Sequence, residues 1–239
     1  MLEIESKFVV PNPDIFARLL ALTVIGDYSL KEPATLTLID HYLDTADSAI
    51  LRGGFACRMR HNHSQNTWMG AIKSLGGAAG AVHQRQEYEA AIAPHALPDR
   101  WPAGPARDLA LQLSAGQPVA ELFAIQQERH TRRVVRVANR PDLSGGRFAP
   151  NIFQVLRAHL TGLKKRSLTV GELSLDQVEF SVGSQRIQAL ELEIELAEDG
   201  TLDDVGAINR ELAAHNLSPQ PQSKFERALA LSRHQQSFK

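Results

Sequence analysis

The chain begins with Glu3, Glu5 and Lys7 at alternate positions. In an extended strand alternate residues share a face, with roughly 6.5–7 Å between neighbours, so two carboxylates and an ammonium would project together. Alone, such a run describes the wetted face of a half-buried strand. The pattern recurs, however. Arg58 and Arg60 share a face opposite Cys57 and Met59, and Arg85, Glu87 and Glu89 share another. Glu191, Glu193 and Glu195 lie opposite Leu190, Leu192, Ile194 and Leu196, and Lys73 and Asp176 also fall in strand-like runs. Three glutamates on one face repel each other unless cations compensate. Hard divalent cations take oxygen ligands and bridge to phosphate oxygens, and neighbouring arginine and lysine suit the charge of a polyanion. Acids and bases segregated onto particular strands therefore point to one shared site.

The elements that must carry these residues follow from periodicity. Residues 2–10 alternate as a strand, and Asn12 with Pro13 starts a helix that ends near Gly26. Strands are expected at 36–44, 55–60, 67–73 and 82–92, as an antiparallel meander. Residues 94–118 hold five prolines around the helical stretch ARDLALQL and read as a surface excursion. A short helix near 119–127 is expected before a strand at 128–137, then strands at 167–180 and 186–196 around a turn at Val182-Gly183-Ser184. Thr201 and Asp204 resemble a capping box for a helix over 202–214, and a last helix begins near Ser223. Residues 139–166 carry an apolar stripe with basic residues between, and are expected to form an inserted amphipathic helix. Strands that are apolar on one face and charged on the other fit an α+β fold: a closed eight-stranded antiparallel β-barrel, or tunnel, with helices packed outside. One domain over 1–239 is expected.

Composition bounds the function. The formal charge is −1, from 26 Lys plus Arg against 27 Asp plus Glu, so no global field draws the chain to nucleic acid or an anionic membrane. Cys57 is the only cysteine, which excludes an intramolecular disulfide. No run has the length of a spanning helix, and the N-terminus lacks the pattern of a signal peptide, so a cytoplasmic location is expected. No GxxxxGK[ST] phosphate loop accompanies Leu143-Ser144-Gly145-Gly146, which reads as a turn. His61 and His63 read as loop residues, and Trp68 and Trp101 as packing.

LEIESKF resembles the ExExK signature of the CYTH superfamily, the triphosphate tunnel metalloenzymes. Further landmarks arrive in that family's order: HYLDTAD, LRGGFACRMR, the strand ending at Lys73, HQRQEYE, SLDQVEF, LELEIEL and the late Ser223-Lys224 with Arg227. HQRQEYE and LELEIEL resemble the bacterial inorganic triphosphatase branch, without the accessory CHAD domain. The resemblance implies that Glu3, Glu5, Asp176, Glu191, Glu193 and Glu195 hold Mg²⁺ or Mn²⁺. It implies that Lys7, Arg58, Arg60, Lys73, Arg85 and Lys224 bind phosphate, and that Glu87, Glu89 and Asp176 serve catalysis, Asp176 activating water. The strand at 128–137 departs from the family's spacing; parity there puts Arg129 and Arg133 on one face, as further substrate-binding residues, and His130 and Arg132 on the other, and a one-residue change of register would exchange the pairs.

The expected activity is metal-dependent hydrolysis of inorganic triphosphate, or a related triphosphate, to diphosphate and orthophosphate. The alternatives are an ATP-cyclising enzyme, a thiamine triphosphatase, and a module that binds polyphosphate or a nucleotide without turnover. The expected partner is a small triphosphate; a homodimer is compatible with the chain.

Overall fold

The computed structural model describes residues 2–136, 167–182 and 185–236. Its strands are β1 (Leu2–Val9), β2 (Val24–Ile25), β3 (Tyr28–Thr45), β4 (Phe55–Asn62), β5 (Thr67–Ser74), β6 (Ala78–Ala79), β7 (Val82–Ala91), β8 (Val119–Arg136), β9 (Leu168–Val182), β10 (Gln185–Leu196) and β11 (Ser218–Pro219). Eight of them close a ring in the order β1-β10-β9-β8-β3-β4-β5-β7, with β7 pairing back onto β1 and every pairing antiparallel. The ring is the expected tunnel. β2, β6 and β11 extend β3, β7 and β1 locally.

Alternation along each strand decides what faces inward. On β1, Glu3, Glu5 and Lys7 line the interior, whereas Phe8 packs outside against Leu192 and Ile194 of β10 and the helices Pro13–Leu20 and Leu202–Leu212. The first helix is fixed by Asn12, whose side chain accepts the Ile15 amide at 2.9 Å, and by Pro13 in its first turn. It ends at Leu20, short of the expected Gly26, and buries Ile15, Phe16 and Leu19. Burial of each contributes on the order of 1.5–3 kcal/mol. Thr201 and Asp204 form the expected reciprocal cap, and Asp204 also accepts the Tyr28 hydroxyl at 2.8 Å, which ties that helix to β3.

A second outer layer covers β4, β5 and β7, where Ile50, Trp68, Trp101, Ala106 and Ala110 form a buried cluster. Gly70 is required there, because a Cβ would stand 2.6 Å from the Trp101 ring. The Asp44 of HYLDTAD is a cap: its oxygens accept the amides of Thr45, Ile50 and Leu51 at 2.7–3.0 Å, folding the chain into the short helix Ala49–Arg52.

Three expectations need correction or restriction. Residues 119–127 are not helical but the first half of the 18-residue β8, paired through Ala120↔Asp44 and Phe123↔Tyr42. AELFAIQQE is made of good helix formers, yet the sheet edge offered by β3 overrides propensity. The helix Lys224–Gln236 does not cover the outer wall: Phe225 packs on Tyr42, Phe123 and Phe180, and it stoppers one end of the barrel. The helix expected at 139–166 and the turn residues 183–184 lie outside the described residues.

Candidate functional site

The ring encloses a cavity of about 310 Å³. Seven cations reach it, Lys7, Arg58, Arg60, Lys73, Arg85, Arg129 and Lys224, beside eight carboxylates, Glu3, Glu5, Asp40, Glu87, Glu89, Glu172, Glu193 and Glu195. Five of the eight ring strands supply an acid from their inward parity, and the antiparallel registers bring those rows level; Glu5 pairs with Glu195, and Lys7 with Glu193.

Near the stoppered end the charges interlock. Lys7 Nζ donates to Glu193 Oε1 at 2.7 Å and lies 2.9 Å from Glu5 Oε2. Lys224 Nζ reaches Asp176, Glu191 and Glu193 at 2.9, 3.1 and 2.7 Å. It is placed by a reciprocal cap in which Ser223 and Glu226 satisfy each other's amides. Arg129 clasps Asp176 with Nε at 2.8 Å and Nη2 at 2.7 Å, and also reaches Glu193. Burial would raise the pKa values of Asp176 and Glu193, but the adjoining cations outweigh it and hold both below the usual range. At Glu5 burial is likewise outweighed, by Lys7 and Arg85, and the pKa falls to about 2.

On the opposite wall Asp40 is fully buried and binds Arg60 bidentately, Nε at 2.6 Å and Nη2 at 2.8 Å. Arg58 meets its acids only at arm's length: 3.8 Å to Asp40, 3.7 Å to Glu87 and 3.5 Å to Glu89. Its Nε and that of Arg85 are buried with no hydrogen-bond partner among the described residues. Both residues line the cavity, and two buried donors left without partners in its wall carry a desolvation cost. Toward the mouth the balance reverses. Glu195 keeps an exposed edge, and burial of its surroundings, then repulsion from Glu3, Glu5 and Glu87, push its pKa up to about 7 despite Lys73.

Most of the residues singled out from sequence converge on this cavity. Asp176 and Glu191 do not line it; they lie behind Arg129 and Lys224, 0% and 1% exposed. Asp176, expected to activate water, has both oxygens bound by cations. Arg133 keeps the inward parity, opposite Glu172, but does not line the cavity; it is exposed near the end of β8, where its guanidinium pairs with Glu32. Asp40 and Glu172 were not anticipated. Asp40 stands between Leu38 and Tyr42 on its face, and Glu172 is four residues from Asp176, so neither formed a charged row, although parity with Tyr42 and Asp176 respectively would have placed each inside.

The carboxylates supply only oxygen donors, and the surplus of negative charge at the mouth fits a hard divalent cation. Among the described residues no three acids, histidines or cysteines are already grouped as a metal site.

A closed antiparallel ring with acids and bases facing inward from most of its strands defines the class, and the sequence comparison agrees. The chain belongs to the CYTH family: the CYTH domain model matches residues 1–229. No curated protein matches the chain in sequence. Among solved structures, the Hippeastrum protein HpAC1, proposed as an adenylyl cyclase and described with a dominant triphosphatase activity, superposes with TM-score 0.62 at 17% identity, over 97% of this chain and 95% of that one. A Bacillus halodurans protein proposed as an adenylate cyclase gives 0.54 at 18% identity, over 94% and 96%. A conserved hypothetical protein from Pyrococcus furiosus gives 0.51 at 14%, over 94% and 98%. At these identities the likeness establishes the shared fold. No helix among the described residues is long and apolar enough to cross a membrane.

Proposed function

We propose that the protein hydrolyses a small triphosphate, inorganic triphosphate by preference, to diphosphate and orthophosphate with the help of a divalent cation. The observation that carries this reading is the pair of buried, unpartnered Nε donors of Arg58 and Arg85, set among five further cations around one enclosed cavity. Guanidinium and ammonium donors match phosphate oxygens, and a triphosphate presents enough oxygens to engage several strands of the wall together. The preference for an inorganic substrate rests on the lining. Tyr42 and Phe225, its two aromatic rings, are buried against each other and Phe123 at the stoppered end, with centroids 5.1 Å apart and a 42° tilt, which leaves little free ring surface for a nucleobase.

Arg58, Arg60, Arg85 and Arg129 would grip and orient the chain of phosphates, and Lys7, Lys73 and Lys224 would exchange internal carboxylates for substrate oxygens. Glu3, Glu5 and Glu195 would hold Mg²⁺ or Mn²⁺, which when bound supplies charge neutralisation on the phosphoryl group being transferred. Glu87 and Glu89, on the wall beside Arg58, would take the proton from an attacking water. The barrel wall and the closing helix exclude bulk water from one end, which strengthens each of these charge contacts.

The test is product analysis over inorganic triphosphate, ATP and thiamine triphosphate, with Mg²⁺, with Mn²⁺ and with a chelator. Metal-dependent orthophosphate release, fastest on inorganic triphosphate, is expected. Cyclic AMP as the main product with negligible orthophosphate would sink the reading, as would release that a chelator leaves unchanged.

A further inference from the structure

Resting on that reading, we propose that Asp40 is a positioning residue that aims the guanidinium of Arg60 into the phosphate cavity. Asp40 lies in the middle of β3, on the inward parity shared with Leu38 and Tyr42, and is directly opposite Arg60 in the β3–β4 register. It is fully buried, and every close partner it has is a donor. Arg60 Nε and Nη2 clasp its two oxygens at 2.6 and 2.8 Å, Gln127 Nε2 donates to Oδ2 at 3.1 Å, and Arg58 Nη1 stands 3.8 Å from Oδ2. A two-point clasp on Nε and Nη2 fixes the plane of a guanidinium and leaves Nη1 uncommitted, on a residue that lines the cavity. Burial alone would favour the protonated acid, but Arg60 and Arg58 outweigh it and keep Asp40 ionised far below the usual carboxylate range.

A carboxylate beside an anion site is unfavourable for binding through space, since it repels the phosphates its neighbours attract. Its presence is rational when the orientation it gives to Arg60 outweighs that repulsion. The two contributions have opposite signs, which makes them separable.

The experiment is calorimetric titration of inorganic triphosphate into metal-free full-length protein, comparing the parent with Asp40→Asn, Asp40→Glu, Arg60→Met and the double variant Asp40→Asn/Arg60→Met. If Asp40 acts by aiming Arg60, Asp40→Asn weakens binding by roughly tenfold, although it removes a negative charge. Asp40→Glu, which keeps the charge and moves the carboxylate by one methylene, weakens it as well. The double variant binds within about twofold of Arg60→Met alone, because no oriented guanidinium remains to lose. Tighter binding by Asp40→Asn would overturn the inference, as would an Asp40→Asn penalty that persists in full without Arg60. Should Asp40→Asn fail to fold, undiminished binding by Asp40→Glu overturns it equally. A parent protein that does not bind inorganic triphosphate defeats the functional reading and this inference with it, whereas a binding parent with additive penalties defeats this inference alone.

Discussion

Charges in the cavity wall are set against each other, and Glu195 shows what that does to a single carboxyl. With a folded pKa of about 7 against an ordinary 4.5, it ionises later in the folded chain than in the unfolded one. The sign is therefore destabilising. The penalty is absent below pH about 4.5, grows as pH climbs toward about 7 and then levels off. A cation seated among Glu3, Glu5 and Glu195 would reverse that repulsion. Glu195→Gln is expected to raise the melting temperature of the metal-free protein at pH 8 and leave it unchanged at pH 4, while weakening Mn²⁺ binding. Melting scans at both pH values and metal titration check it; a lower melting temperature at pH 8 contradicts the argument. Asp176 illustrates the opposite environment. Arg129 and Lys224 hold it ionised and bound, so its first role in this structure is to keep those two cations aimed.

Among elements, the helix Lys224–Gln236 does most to shape the site, since its first residue is a cavity cation and its second is the stopper. Phe225 is 3% exposed and lies 5.1 Å from Tyr42 and 5.7 Å from Phe123, ring to ring. Phe225→Ala should therefore cost about 3–5 kcal/mol in stability, read from urea unfolding. It should also loosen Lys224 and raise KM for the triphosphate. A loss below about 1 kcal/mol would mean that the helix is not the stopper described. How much of this was legible follows from local physics. Alternation on β1, β4, β7 and β10 showed which side chains share a face, and Asn12 and Thr201 announced helix starts that were found as caps. Pairing energy between distant strands leaves no such local trace. The first half of β8 reads as helix until β3 is beside it, and Arg133 follows the inward parity yet lies beyond the cavity, where exposed Glu32 takes its guanidinium. Asp40 was silent for a related reason: one acid among Leu36, Leu38 and Tyr42 forms no pattern, and only Arg60 across the register gives it meaning.

For the whole molecule, several wall carboxylates share one electrostatic fate. Glu5, Asp40, Asp176 and Glu193 are all held below their ordinary pKa values by wall cations that outweigh burial, Glu5 at about 2. Groups with depressed folded pKa values contribute stability above their unfolded values, and that contribution is lost as pH falls through the folded ones. The metal-free protein should hold its urea midpoint down to about pH 4.5 and lose it steeply toward pH 2. A flat profile down to pH 3 would show that the wall pairs contribute little. Closure of the ring has a different kind of consequence, one of timing. β1 hydrogen-bonds to β7 on one side and to β10 on the other, so Lys7 sits opposite Glu193, 186 positions later in the chain. On the ribosome the earliest of these strands must therefore wait, one edge unfilled, until the last has been made. Loop closure over that span is slow, so the unpaired edges of β1 stay open longest while the chain is made.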